Sequence, residues 1–298
     1  MNLLLDPLAY GIFVRALVAS ALVGVVCAVV GTYVVLRGIA FIGDAIAHAG
    51  FPGVVAAYML AIPFYLGAAV AAVGTALAIG YVTKRSGLRQ DTTIGVLFAG
   101  TFAFGVFLFS TIQGYVADLF SFLLGNVLAI SQSDLIALLV LGLGVLAVVA
   151  LLWKELLYST FDPLGAAASG MPVDRLEYLF LALVALTIVV SLQAVGIILV
   201  VAMLITPAAT AQLVTTRFTR LMLVASLVGV ASAVLGLYLS YWLEVASGAT
   251  IVLVETGLFL VAVAFGPHGV LGRRRGRENG RESERENERE PAAEALGR

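Results

Sequence analysis

Asp44 and His48 are the residues of this chain whose types and spacing point most directly to chemistry. They lie in the run Gly43-Asp44-Ala45-Ile46-Ala47-His48-Ala49-Gly50, inside an otherwise apolar stretch. If that stretch is helical, an i, i+4 spacing puts both side chains on one face, about 6 Å of rise apart. A carboxylate next to an imidazole suits a divalent first-row metal ion. Two ligands make an incomplete set. Two such helices facing across a two-fold axis would supply two Asp and two His, and the small residues around the pair allow a helix to come close. The same spacing fits two plainer arrangements: Asp44 and His48 pairing with each other, or Asp44 capping its helix.

Few other residues compete for a chemical role. Glu255 falls early in the last apolar run, where it lines an exit or reaches the interface. Pro207, in Ile205-Thr206-Pro207-Ala208-Ala209-Thr210-Ala211, removes one backbone donor from a span. Interrupted helices often line pathways in transporters, and kinks that serve only packing are as frequent. His268, beside Gly266-Pro267, is expected to cap a helix or touch headgroups. Cys27 is the only cysteine, so no disulfide forms within the chain, and a buried thiol of this kind usually packs. Neither lysine, Lys84 or Lys154, sits in G-x-x-x-x-G-K-[ST], and no Ser-His-Asp arrangement or H-E-x-x-H motif is visible. The chain reads as no enzyme, and any ATP hydrolysis belongs to another subunit.

The elements that must position these residues follow from composition. Of 298 residues, 61% are hydrophobic and 12% charged, with mean hydropathy +1.08. Ordinary soluble domains carry roughly twice that charge, so a water-soluble enzyme is excluded and a polytopic α-helical membrane protein remains. Apolar runs fall near 13–36, 40–62, 64–83, 93–112, 134–153, 221–243 and 250–268. The stretch 176–214 is long enough for two, divided near Ser191–Gly196. Nine crossings are expected, with eight as the alternative if the first run or the divided pair does not fully cross. No basic segment precedes the first run, which is read as its own insertion signal.

Orientation follows from Lys and Arg. Under the nine-span reading Arg37, Lys84, Arg85, Arg89, Lys154, Arg175, Arg217 and Arg220 share one side, and only Arg15 lies near the other. The positive-inside rule makes the first side and the C-terminus cytoplasmic in a cell membrane, leaving Asp6, Asp118, Asp134 and Glu244 outside. Residues 1–272 then form the transmembrane permease domain. Residues 273–298 hold eight Arg and seven Glu with little apolar content, a charged cytoplasmic tail expected to be disordered. The overall balance, net −1, is not that of a nucleic-acid-binding chain, whereas Arg273–Arg275 suit lipid headgroups.

Two segments are neither span nor simple loop. Asp118–Ile130 is apolar but too short to cross, which fits a re-entrant or interfacial helix or a packed loop. Tyr158–Asp174 lies on the basic side. There Asp162 and Pro163 suit an N-cap and first helical residue, and Gly170 and Pro172 suit stop signals, giving a short surface helix.

The blocks GDAIAHAGFPGVVAAYML, RQDTTIGVLFAGTFAFGVFLFS, DLFSFLLGNVLAIS, KELLYSTFDPLGAAASGMPV and SLQAVGIILVVAMLITPAATAQLV occur in this order. Together they resemble the permease subunits of metal-ion ABC importers, the manganese/zinc/iron family, over roughly residues 10–268. The resemblance implies an all-α, type II ABC importer-like permease that pairs with a second copy or a homologue. It also implies a cytoplasmic ABC ATPase subunit that uses the ATP, and an extracytoplasmic metal-binding protein that delivers Zn²⁺ or Mn²⁺ (iron a further candidate) as cargo. The chain itself holds no cofactor. The family's intramembrane ligands fall on Asp44 and His48, and its ATPase-coupling helix on the segment with Phe161, Asp162, Pro163 and Gly170. Ser169 is a mild departure from the usual pattern.

Competing functions stay open at the level of sequence. An ion-coupled secondary transporter would use Asp44 and His48 as a proton relay and need no ATPase. A permease for a metal chelate would leave few open positions on the metal for protein ligands. Imidazole tilts toward zinc and carboxylate toward manganese, so one of each does not choose between them.

Overall fold

A computed structural model describes residues 6–112 and 130–267. Most of Asp118–Ile130, His268 and the tail 273–298 lie outside the described residues. After a short 3₁₀ turn at Pro7–Ala9 come α1 (Gly11–Leu36), α2 (Ile42–Leu60), α3 (Phe64–Ser86) and α4 (Gln90–Ser110). Then follow α5 (Gln132–Leu151), α6 (Trp153–Phe161), α7 (Pro163–Ala168), α8 (Val173–Val195), α9 (Ile197–Val214), α10 (Phe218–Leu243) and α11 (Ser247–Phe265). Among the described residues there is no strand, and the chain is a polytopic transmembrane helical bundle.

Eight of these helices are long and apolar enough to cross a membrane. The ninth long helix, α2, has 19 residues but includes Asp44, His48 and Pro52, which lower its hydropathy. An eight-span count was expected to arise at the first run or at the divided pair. Both of these are long apolar helices, and the shortfall lies at α2 instead.

The direction of each helix follows from contacts at the two ends of the bundle. Arg37, at the end of α1, stacks on Phe180 near the start of α8. Lys84, near the end of α3, pairs with Asp174 and Glu177 of α8 at 2.7 and 2.9 Å. The ends of α1 and α3 are therefore at the same face, and α2 between them runs the opposite way. Phe218, opening α10, touches Tyr33 and Trp153 at that face, so α8 leaves it and α9 returns to it. At the far end Phe13 of α1 packs edge-on against Tyr238 and Tyr241 of α10. Arg37, Lys84, Lys154 and Arg217 thus share one end of the bundle, as the charge pattern requires.

Helix α1 is central. Ala16, Ala19, Val23, Cys27, Val30 and Val34 are fully buried at helical steps of three and four. Within a bilayer, exclusion from water does not drive helices together, so close packing of small residues takes that role. A Cβ on Gly53 of α2 would run into the carbonyl of Gly67 on α3, and one on Gly31 of α1 into that of Leu204 on α9.

The stretch 176–214 divides at a single residue. Gly196 has φ 83° and ψ 167°, a backbone region open essentially to glycine alone. Pro207 lies inside α9, which continues through it, so the interruption of this pair is at Gly196 and not at the proline. On the basic side the expected short helix forms as α7, and a second piece, α6, precedes it. Leu152 (φ −100°, ψ 23°) separates α5 from α6, and Asp162 separates α6 from α7, so two helical pieces stand at this face.

Candidate functional site

The pair on α2 is built by its helix register. Gly43, Ala45, Ile46, Ala47, Ala49 and Gly50 are buried against the bundle, while Asp44 and His48 emerge on the remaining face. Their side chains keep 45% and 29% of their exposure, so the site opens at the surface of the chain and not into its core. His48 Nδ1 lies 3.0 Å from the Asp44 carbonyl oxygen and 3.4 Å from Asp44 Oδ1. A carbonyl only accepts, so Nδ1 carries the proton in the neutral ring and Nε2 keeps its lone pair. Phe98 and Phe102, stacked on one face of α4, meet the imidazole in T-shaped contacts from one side, at centroid distances of 5.5 and 5.6 Å. These rings limit how far it swings. Sequence reasoning did not single them out, because aromatic residues in an apolar run carry no mark of the partner they touch.

Of the two plainer arrangements, the contact between Asp44 and His48 is realised, and no side-chain cap is made at the start of α2. That contact does not exhaust the pair, since Asp44 Oδ2 and His48 Nε2 remain available. Among the described residues no group of three or more His, Cys, Asp or Glu converges, so one chain offers two donors.

Glu255 is not brought to this pair. It is 0% exposed, and neither carboxylate oxygen has a hydrogen-bond partner among the described residues. It faces the interior of the bundle, within electrostatic range of Cys27, so the expectation that it reaches the interface is corrected. The helix starts at Ser247, before the apolar run read from sequence, so Glu255 is the ninth of its 19 residues, near mid-span, and the helix register turns it inward. Pro207 is also buried, one turn beyond Leu204, whose side chain packs on Gly43 beside Asp44.

The basic-side segment forms as its punctuation directs. Asp162 Oδ1 accepts from the Gly165 amide at 2.8 Å, Pro163 fills the first helical position, and Gly170 turns the chain with φ 83°. Phe161 and Leu164 present apolar side chains there, 62% and 83% exposed. Leu164 lay within the expected helix but was not singled out.

The chain can now be set beside known proteins. A family model described as "ABC 3 transport family" matches residues 9–266. The manganese transport system membrane protein MntC of Halalkalibacterium halodurans is 49% identical over 267 residues, covering 89% of this chain and 91% of that one. The chelated iron transport system membrane protein YfeD of Yersinia pestis is 43% identical over 264 residues, 89% of each. The structure of PsaBC from Streptococcus pneumoniae in complex with Fab superimposes with a TM-score of 0.79 at 37% identity, covering 89% of this chain and 96% of that one. With the helical bundle, the exposed Asp44–His48 pair and a match over nearly all the described residues, this chain belongs to the ABC 3 transport family.

Proposed function

We propose that this chain is the membrane-spanning subunit of an ATP-driven importer that carries a divalent metal ion, manganese foremost, into the cytoplasm. The observation that carries this reading is the Asp44–His48 pair. Asp44, in the first turn of α2, keeps 45% of its side-chain exposure, and a carboxylate at the membrane boundary calls for a protein or aqueous neighbour. A second permease, the same chain or a homologue, placed with its α2 opposite supplies that neighbour and raises the ligand count from two to four. The donor set does not choose between zinc and manganese; manganese stands foremost because MntC carries that metal in its name.

The remaining parts fall into place around this site. The basic end of the bundle is cytoplasmic by the positive-inside rule, and so is the C-terminal tail. Phe161, Asp162, Pro163 and Gly170, with Leu164, dock the separate ABC ATPase, which hydrolyses the ATP. The opposite end receives the ion from an extracytoplasmic metal-binding protein. Alternating access moves the ion past Asp44 and His48; Pro207 and Glu255 lie in the bundle interior behind that face and bear on transport through the packing of α9 and α11.

The test is elemental analysis of cells lacking this gene, complemented with wild type, Asp44→Ala or His48→Ala at limiting metal supply. Cell manganese falls in the deletion, and only wild type restores it. Full restoration by both variants at normal expression would remove the pair from the pathway. Uptake that survives ATP depletion but collapses with an uncoupler would replace the ATP-driven reading with an ion-coupled one. A chelate permease is the second reading, favoured by the name of YfeD. It predicts that uptake depends on an added chelator.

A further inference from the structure

The same end of the bundle holds a residue that joins the ATPase-facing segment to the metal helix. Arg37 caps α1 and is followed by Gly38 (φ 71°), the turn that leads into α2. The Gly38 amide donates to the Val35 carbonyl and the Ile39 amide to that of Val34, closing α1 with a Schellman motif. Ile39 is buried at 3% exposure, which fixes the start of the linker. Asp44 is seven residues from Arg37, so a movement of Arg37 reaches the metal helix through a short, tied connection.

On its other side the Arg37 guanidinium grips α6. Nε donates to Thr160 Oγ1 at 3.1 Å, and Nη2 donates to Ser159 Oγ at 3.4 Å. Both hydroxyls donate in turn to the Leu156 carbonyl, which leaves their lone pairs for Arg37. The guanidinium carbon lies 4.2 Å from the centre of the Phe180 ring, and Glu177, which interacts electrostatically with Arg37, is bridged to Lys84 of α3. Ser159 and Thr160 immediately precede Phe161 and Asp162, the start of the docking surface. A planar guanidinium that makes two directed bonds and one stack transmits displacement better than a single contact would.

We propose that Arg37 is a positioning residue for transport, through which movement of the ATPase-docking segment reaches α2 and its Asp44–His48 pair. The proposal rests on the reading of Phe161–Gly170 as the ATPase contact.

The test uses the whole complex of permease, ATPase and binding protein in proteoliposomes, with ATP hydrolysis and manganese uptake measured on the same vesicles. Wild type establishes the underlying reading: if it does not couple ATP to manganese uptake, that reading fails first. Arg37→Gln removes the fork and is expected to lower uptake about tenfold while hydrolysis and ATPase retention are kept, in the range of ordinary coupling energies. The number of ATP molecules spent per ion therefore rises. Arg37→Lys restores charge without the two directed bonds and recovers uptake only in part. Should Arg37→Gln fail to assemble, Ser159→Ala with Thr160→Val removes the acceptors instead and is expected to raise the same ratio. Parallel loss of hydrolysis and uptake in these variants, or unchanged uptake, overturns the proposal.

Discussion

His48 Nδ1 and Asp44 Oδ1 are 3.4 Å apart on one turn of α2. The Asp44 carbonyl holds the Nδ1 proton, so the ring is oriented with Nε2 as the nitrogen open to an ion in the function proposed above.

Phe98 and Phe102 hold the imidazole from the side of α4. Groups that orient a metal ligand typically contribute about 10–100-fold in affinity. In the proposed function, Phe102→Ala is expected to raise the manganese concentration for half-maximal uptake about tenfold at unchanged expression, and Asp44→Asn, which removes the proposed carboxylate ligand, is expected to have the larger effect. Concentration-dependent uptake of radioactive manganese separates the two.

Asp162 caps the N-terminus of α7 by accepting from the Gly165 amide. Its replacement by Ala is expected to cost the local helix about 1 kcal/mol, and replacement by Ser or Asn much less. Hydrogen exchange across 163–168 reads the loss directly. Retention of the ATPase during purification is expected to fall in the same order.

Gly196 is held at φ 83° and ψ 167° between two spans. Any side chain there is strained, and Gly196→Ala is expected to destabilise the protein by about 1–3 kcal/mol. A lowered midpoint of thermal aggregation in detergent would report it. An unchanged midpoint would mean that the break relaxes at little cost.

Glu255 has a fully buried carboxyl group without a hydrogen-bond partner. Gln keeps the shape of Glu but cannot ionise, so it removes the cost of a buried charge while leaving the polar group in place. Glu255→Gln is therefore expected to hold or raise the melting midpoint while lowering metal uptake. Full uptake by this variant would show that Glu255 has no part in transport.

Much of this architecture is legible in the amino-acid sequence, for identifiable reasons. Apolar run length finds the long helices, since each must satisfy its own backbone in lipid. The Asp162-Pro163 start and the Gly170-Pro172 stop of α7 are local chemistry, and they form as written. The i, i+4 spacing of Asp44 and His48 states their shared face. What the sequence does not carry is lateral information. Nothing in the run around Phe98 says that it meets His48, and the inward register of Glu255 depends on how α11 packs on α9 and α10. Arg37 reads from sequence only as a topology charge, because its partners Ser159, Thr160 and Phe180 lie more than a hundred residues away.

The placement of the ligand pair on the less apolar α2 also bears on how the protein enters the bilayer. A segment that carries Asp44, His48 and Pro52 partitions into hydrocarbon less readily than its neighbours. Helix α3 follows after only Ala61, Ile62 and Pro63, and the two backbones touch where Gly53 meets Gly67. Their natural unit of insertion is the pair, α3 carrying α2 into the membrane as a helical hairpin. A bulky residue at Gly67, far from any ligand, would then interfere with biogenesis before it interfered with transport.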